Sequence, residues 1–504
     1  MAPSALTQGL LTEGHHSPLL LHGSGDALPK NLAEPEGKHE DFRTWLAEEV
    51  SEQFWIAGPL MVANLLQTLI SIVSLMFVGH MGSLALSGSQ IAGTMTGATG
   101  IHVLAGMANA LETLCGQAYG AKEYRLSGIF LQRAIFVLTL CCIPISFIWW
   151  NTAPILKFIG QDPAISEAAQ EYSRFLIPSL FAQAFSQPLM KFLQTQSAVK
   201  PLAVLSAVTL AIHVALCYLV ILYLGVGFRG AAIVNGISLW IQVFFLGLYV
   251  NFSSTCKKTW TGFSTEAFDD IYLFLKIAVP SALMICLQFW CFNIITLISG
   301  LLPNPQLETS SYAVSQNILT IAFMIPWGLS AAVSTRVSNK LGAGLPFEAK
   351  AAMKVTVSAA LIEGVTISLL FISLRNVFPL IFTSDPGVVN YVSSMAPFMA
   401  IVAILDSYQG ILSGVARGCG WQRLGAYTSL IGYYGVGIPV SLLMTFYFNF
   451  HVYGLWIGII CGDFTQGYLL SYITLNLNWQ KLADEATELV HTAKDHLHHD
   501  HVLP

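Results

Sequence analysis

The chain has 504 residues, 54% of them hydrophobic and only 10% charged, with a mean hydropathy of +0.63. Soluble domains carry about 25% charged residues, so a soluble globular protein is excluded and the chain reads as an integral membrane protein. A net charge of -5 and a pI near 6.2 exclude the basic signature of a nucleic-acid binder.

Residues 1–50 are polar and lack the basic stretch followed by an apolar one that marks a signal peptide. A disordered cytosolic tail is expected there, and Leu19-Leu20-Leu21 reads as a chance leucine run rather than a sorting signal. Twelve apolar runs long enough to cross a bilayer as helices follow. They cover about 54–78, 84–112, 128–150, 169–192, 200–224, 229–251, 273–300, 312–336, 352–374, 392–415, 425–447 and 452–475. The second and fourth are the least apolar. With both ends inside, the inner loops hold thirteen Lys and Arg residues, among them Lys122, Lys191, Arg336 and Arg417, against four outside (Lys157, Arg174, Arg229 and Arg375). That bias predicts twelve spans with cytosolic termini. The expected divisions are an N-terminal lobe at 51–252, a cytosolic linker at 253–270, a C-terminal lobe at 271–476 and a cytosolic tail at 477–504.

The two lobes repeat each other. Ile56-Ala57-Gly58-Pro59 with Gln67 returns as Ile277-Ala278-Val279-Pro280 with Gln288, 221 residues on. Gly106 to Ala121 returns as Gly328 to Ala343, and Lys191 to Ala203 as Gly414 to Ala426, at offsets of 222 and 223. An even number of spans per half makes these parallel repeats about an axis along the membrane normal, a transporter layout. Pro59 and Pro280 recur at matched places in the first span of each half, where a kink bears on how the cleft opens.

The nine cysteines are scattered through apolar runs without a CxxC pair, as small buried side chains are. No metal or cofactor site is expected. The tail histidines His496, His498, His499 and His501 are close in sequence but lack a fixed geometry.

Ionisable groups inside a bilayer cost about 2.5–3.5 kcal/mol each on insertion scales, which makes them functional candidates. Asp406 leads, mid-span in the tenth run and followed by Ser407, Tyr408 and Gln409. Glu363 and Asp463 are mid-span as well, and His213 is the one span histidine singled out as able to titrate near neutrality. These three are secondary ionisable candidates, with a helix–helix hydrogen bond the commoner role for Asp463 and His213. Glu112 reads as a capping or ion-pair partner of Lys122 or Arg125. Gln288, Trp290 and Asn293 in the seventh span, with Asn64 and Gln67 in the first and Tyr408 and Gln409 in the tenth, are the candidate cavity residues. Gln288 and Asn293 stand about 140° apart on a helical wheel.

Several stretches together resemble the multidrug and toxic compound extrusion (MATE) transporters of the plant DETOXIFICATION type, over about residues 45–480. They include Phe77 to Gly82 (FVGHMG), Leu111 to Gly120 (LETLCGQAYG), Ser299 to Pro305 (SGLLPNP), Arg336 to Gly344 (RVSNKLGAG) and Ser413 to Gln422 (SGVARGCGWQ). The resemblance implies an all-α membrane fold of two pseudo-symmetric six-helix lobes. It implies efflux of small organic solutes, xenobiotics or plant secondary metabolites, from the vacuolar or plasma membrane, by alternating access driven by protons rather than sodium. A monomer is expected. Relatives carry acids in the seventh span in a pattern like LEFWxFE, where this chain has the amides Gln288 and Asn293. The usual acid of RVSNELGAG is Lys340 here. Proton coupling is therefore expected to rest on Asp406, and neutral or anionic solutes are favoured over cations. The alternative is a passive facilitator or anion channel on the same fold. No nucleophile motif, nucleotide loop or metal cluster points to an enzyme.

Overall fold

The structure, a computed structural model, describes residues 39–383 and 385–499. Most of the expected N-terminal tail, with its leucine run, lies outside the described residues. Residues 39–46 are helical, and a compact unit begins at Ala47. Its first six helices are α1 (Ala47–Gly79), α2 (83–120), α3 (Tyr124–Trp150), α4 (Pro163–Thr195), α5 (Val199–Tyr223) and α6 (Phe228–Phe252). Then come α7 (Ile271–Ser299), α8 (Pro305–Gly342), α9 (Pro346–Ser373), α10 (Pro386–Gly418), α11 (Gln422–Tyr447) and α12 (Val452–Leu475). Helix α2 is composite: Ser83–Thr96, a π-helical Gly97–Ile101, His102–Ala108 and Ala110–Gly120. No strand occurs among the described residues.

Nine of the twelve are long and apolar enough to cross a membrane. The exceptions are α2, α4 and α12. These carry polar residues that the bundle buries, such as Glu112 and Gln117, Ser173 and Gln194, and Asp463 and Gln466. The least buried spans, α1, α5 and α9, are strongly apolar along their length. Several helices extend beyond the expected runs, α4, α8, α9 and α10 each beginning six or seven residues earlier, and two further extensions have a visible packing cause. Helix α1 is already formed at Ala47, because Glu49 is buried against Arg336 of α8. Helix α2 runs to Gly120 rather than 112, because its polar end packs against α8 instead of meeting water.

The duplication is visible as reciprocal contacts. Gly106 of α2 lies against Ala282 of α7, and its repeat Gly328 of α8 lies against Met61 of α1. A Cβ on Gly120 would overlap the carbonyl of Asn339, and one on Gly342 would overlap the carbonyl of Gln117. Gly116 faces Ser338, its own counterpart. The pseudo-two-fold axis therefore passes between Gly116 and Ser338. Here α2 and α8 touch backbone to backbone, at the end of the bundle that carries the basic loops.

The segment between lobes is strapped to α3 and α4. Gln132 donates to the Gly262 carbonyl at 3.0 Å and accepts from the Ser264 amide at 2.9 Å, and Thr259 donates to Gln196 at 2.8 Å. The tail departs from the expectation of no fixed geometry. Trp479–His499 forms α13, an amphipathic helix whose Trp479, Leu482, Ala486 and Val490 are buried in the main apolar core. Lys494 of α13 pairs with Glu123 at 2.7 Å. The side chains of His496, His498 and His499, and all of His501, lie outside the described residues.

Two matched pairs of inner loops close through left-handed residues at repeated places: Lys122 (φ 65) with Gly344 (φ 70), and Ser197 (φ 58) with Gly420 (φ 81). A side chain in this region costs roughly 1 kcal/mol or more. Lys122→Gly and Ser197→Gly should each stabilise the protein by about 1 kcal/mol, and Gly344→Ala should destabilise it by a similar amount. Thermal unfolding of the detergent-solubilised protein reads both directions.

Candidate functional site

Helix α10 carries one polar stripe. Asp406, Gln409, Ser413 and Arg417 are spaced 3, 4 and 4 residues apart, which puts them on one helical face. Gln409 donates to Asp406 at 3.2 Å, and Ser413 donates to Gln409 Oε1 at 3.4 Å. The stripe borders a cavity of ≈ 20 Å³ lined by Gln288, Trp327, Ser330, Gln409, Ser413, Arg417 and Gln466, among others. That is room for about one water.

Near the Asp406 end of the stripe, α9 and α12 carry two further acids, Glu363 and Asp463, within electrostatic range of Asp406. Gly364 lets α9 approach the Ile404 backbone and the Ser407 side chain of α10, and Glu363 is the residue next to it on α9. Asp463 of α12 accepts a hydrogen bond from Tyr433 of α11 at 3.0 Å. Both Glu363 and Asp463 feel the charge of Asp406. Among the described residues, no Lys or Arg pairs with any of the three.

At the lower end, Arg417 belongs to an ion cluster that joins the lobes. Its Nε donates to Glu112 Oε2 of α2 at 2.8 Å, and Lys191 of α4 donates to Glu112 Oε1 at 2.6 Å. A second guanidinium nitrogen of Arg417 donates to Ser330 of α8 at 2.9 Å. Glu112 is fully buried and Arg417 is 3% exposed. Gln194, the repeat of Arg417 in the first half, donates to Glu112 at 3.2 Å and to the Ala331 carbonyl at 3.1 Å. Thr113 donates to the Arg417 carbonyl and accepts from Gln422 at 2.6 Å. Helix ends favour these charges: Glu112 lies in the first turn of Ala110–Gly120 and Arg417 in the last turn of α10. Removing one partner of a buried pair costs about 3–5 kcal/mol, so this cluster and the glycine contacts hold the lobes shut on the basic-loop side.

The expected partners of Glu112, Lys122 and Arg125, are therefore corrected to Lys191 and Arg417. Arg125 pairs with Glu266 at 2.7 Å instead. Lys191 and Arg417 bring their charges from the ends of distant spans, which a reading confined to neighbouring residues misses. The i, i+3, i+7, i+11 spacing down to Arg417 is the signal in the sequence.

The remaining candidates are spread out. Gln288 lines the cavity, whereas Asn293 does not. Trp290 donates to the Ala98 carbonyl of α2 at 2.9 Å, and its neighbour Phe289 stacks on His102 at 4.0 Å, so this part of α7 joins the lobes. His102 is not among the residues that the sequence singles out. Gln67 points to Met190 within the N-terminal lobe, and Asn64 sits one turn away from it with its carbonyl bonded by Thr68. Tyr408 bonds Ser471 of α12 at 2.7 Å. His213 of α5 bridges Ser74 of α1 at 3.0 Å and Ser238 of α6 at 2.9 Å. Lys340, at the place of the usual acid, pairs with Glu348. No group of three or more His, Cys, Asp or Glu suited to a metal occurs among the described residues.

The MatE family model matches residues 59–219 and 280–443, two stretches that begin on the repeated prolines Pro59 and Pro280. Protein DETOXIFICATION 16 of Arabidopsis thaliana is 49% identical over 446 residues, 88% of this chain and 92% of that protein. Protein DETOXIFICATION 15 of the same plant is 47% identical, covering 90% and 93%. The crystal structure of the eukaryotic MATE transporter AtDTX14 superposes with a TM-score of 0.86 at 42% identity, over 88% of this chain and 99% of that one. A MOP superfamily transporter from Pyrococcus furiosus shares the fold, with a TM-score of 0.78 at 15% identity over 85% and 95%.

With both ring nitrogens of His213 bonded, His213→Ala should destabilise the protein by about 1–3 kcal/mol and leave the pH profile of its activity unmoved. An unchanged melting temperature with a shifted pH profile would instead make His213 a proton carrier.

Proposed function

The chain belongs to the MatE family of membrane transporters, and from that premise we propose that it is a proton-coupled antiporter that expels organic solutes by alternating access. The observation that carries this reading is the carboxyl cluster of Glu363, Asp406 and Asp463, which no cation neutralises among the described residues. Carboxyl groups so placed cannot all be charged at once without strong repulsion in a low dielectric. They hold protons as one unit, with Asp406 as the member that opens onto the cavity through Gln409 and Gln288. Glu363 and Asp463 set how firmly that proton is held.

Protonation removes the charge that Gln409 solvates. Its loss changes how the α10 stripe packs, and Arg417 at the other end of the same face carries that change to the contact between lobes. One proton moving down one pH unit supplies about 1.4 kcal/mol, and a potential of 100 mV adds about 2.3. A single titrating site thus supports useful accumulation. The chain works as a single unit in the vacuolar or plasma membrane, and its cargo is a xenobiotic or plant secondary metabolite. Gln67 and Asn64 contribute from α1, and Tyr408 and Trp290 hold the walls of the cleft rather than its lining.

One observation favours a second reading. Gln288, the polar residue among those of α7 that line the cavity, is a neutral amide, and Asn293 of the same helix is another. A facilitator or anion channel needs no acid there. Proteoliposomes loaded with a panel of organic solutes decide between the two when a pH gradient is imposed. Uphill movement is expected for the native chain. Asp406→Asn should abolish it and leave downhill exchange within about threefold, because the substitution keeps the volume and removes only the titration. Accumulation that survives in Asp406→Asn would remove Asp406 from the coupling, and purely downhill movement in the native chain would establish the facilitator. Tetraethylammonium should be a poor cargo.

A further inference from the structure

The ion cluster between the lobes does not balance. Glu112 supplies one negative charge, and Lys191 and Arg417 supply two positive ones. No other carboxylate pairs with the cluster among the described residues. The members also belong to different bodies. Glu112 and Lys191 sit on α2 and α4 of the N-terminal lobe, whereas Arg417 sits on α10 of the C-terminal lobe. When the lobes part on the basic-loop side, Glu112 and Lys191 leave together as a neutral pair. Arg417 stays behind without a carboxylate. What remains to it is the Ser330 hydroxyl at 2.9 Å and the face of Trp327, with the guanidinium carbon 5.8 Å from the ring centroid.

Arg417 is a lining residue of the cavity that Gln288, Gln409 and Ser413 also border. A guanidinium presents its donors in a planar fork that matches a carboxylate. The indole of Trp327 offers a flat apolar surface beside that fork. Gln288 and Gln409 add neutral hydrogen-bonding groups, and none of these lining residues is an acid. We propose that this face of the C-terminal lobe is a binding site for an aromatic or otherwise apolar solute bearing a carboxylate, and that the solute's carboxylate takes the place of Glu112 on Arg417 when the lobes open toward the cytosol. Glu112 is then the resident competitor of the cargo: it occupies Arg417 in the closed arrangement and yields it in the open one.

The proposal rests on the transporter reading above and narrows its cargo. Equilibrium binding tests it without any pH gradient, so a failure of proton coupling does not touch the result. The probes are radiolabelled 4-hydroxybenzoate and its neutral isostere 4-hydroxybenzamide, measured on the full-length protein in detergent. The native chain should bind the carboxylate roughly tenfold more tightly than the amide, the size of one hydrogen bond to a charged group. Arg417→Gln should erase the preference, and Arg417→Lys should retain part of it, since lysine keeps the charge but loses the fork. Glu112→Gln should tighten 4-hydroxybenzoate and leave 4-hydroxybenzamide unchanged. Combined with Ser338→Cys, the same variant should react faster at position 338 with an impermeant thiol reagent, which reports the opened lobes. A native chain that binds both probes equally overturns the proposal. So does an Arg417→Lys protein that melts normally yet loses both probes to the same extent, and so does weaker carboxylate binding in Glu112→Gln. No binding of either probe by the native chain counts against this site as well.

Discussion

The approach of α2 to α8, backbone against backbone, governs the rest of this structure. In lipid, an apolar side chain gains little by exchanging a hydrocarbon neighbour for another apolar side chain, so helices associate through close packing and polar bonds. Gly116, Gly120 and Gly342 remove the side chains that would keep these two helices apart. With the backbones in contact, the polar ends of α2, α4, α8 and α10 meet in one place. That meeting encloses Glu112 completely and makes the cation partners from α4 and α10 necessary. The extension of α2 to Gly120, the burial of Glu49 against Arg336, and the continuation of the apolar core into α8 and α13 all follow from the same contact.

The duplication supplies symmetric backbones on which unlike side chains have been placed. Position 112 is a glutamate in the first half, whereas its repeat, position 334, is a serine. Gln194 in the first half corresponds to Arg417 in the second, and Gln183 to Asp406. The three mid-span acids Glu363, Asp406 and Asp463 consequently all lie on the C-terminal lobe, whereas the buried acid of the N-terminal lobe, Glu112, is ion-paired with Lys191 and Arg417. A symmetric pair of rocking bodies needs one asymmetric element to convert a gradient into direction. On the proton-coupled reading proposed above, the α10 stripe is that element: acid at one end, guanidinium at the other, with two hydrogen-bonding side chains between.

Much of this architecture is legible in the amino-acid sequence. Apolar runs announce spans because a bilayer admits few alternatives, and the twelve expected runs overlap the twelve helices. The repeats announce the axis, since the residues that match at offsets of 221–223 are the ones found in reciprocal contact. Asp406, Glu363 and Asp463 stand out by charge alone. Their convergence does not, because three mid-span acids on α9, α10 and α12 share no local pattern. Glu112 stands out too, but the cations nearest to it along the chain, Lys122 and Arg125, are not its partners. Sequence proximity misleads at helix ends, where packing between distant spans decides the partner. Residues 479–499 are polar in composition, yet every third or fourth position is apolar, from Leu482 and Ala486 to Val490 and Ala493, and that face needs a surface to cover.

An ionic contact between the lobes suits a device that must open better than an apolar one of equal area. Removing a partner from a buried ion pair is costly, but the cost falls steeply once water enters, because the interaction between unit charges at 4 Å drops from about 4 kcal/mol at an effective dielectric of 20 to about 1 in bulk water. The contact is therefore firm while dry and weak once wetted. Helix ends keep each charge tolerable in both arrangements: Glu112 near a helix start, Arg417 near a helix end. The small-residue packing at Gly116 and Gly120 sets where the dry region lies. Firmness while dry and weakness once wetted thus come from the same few residues.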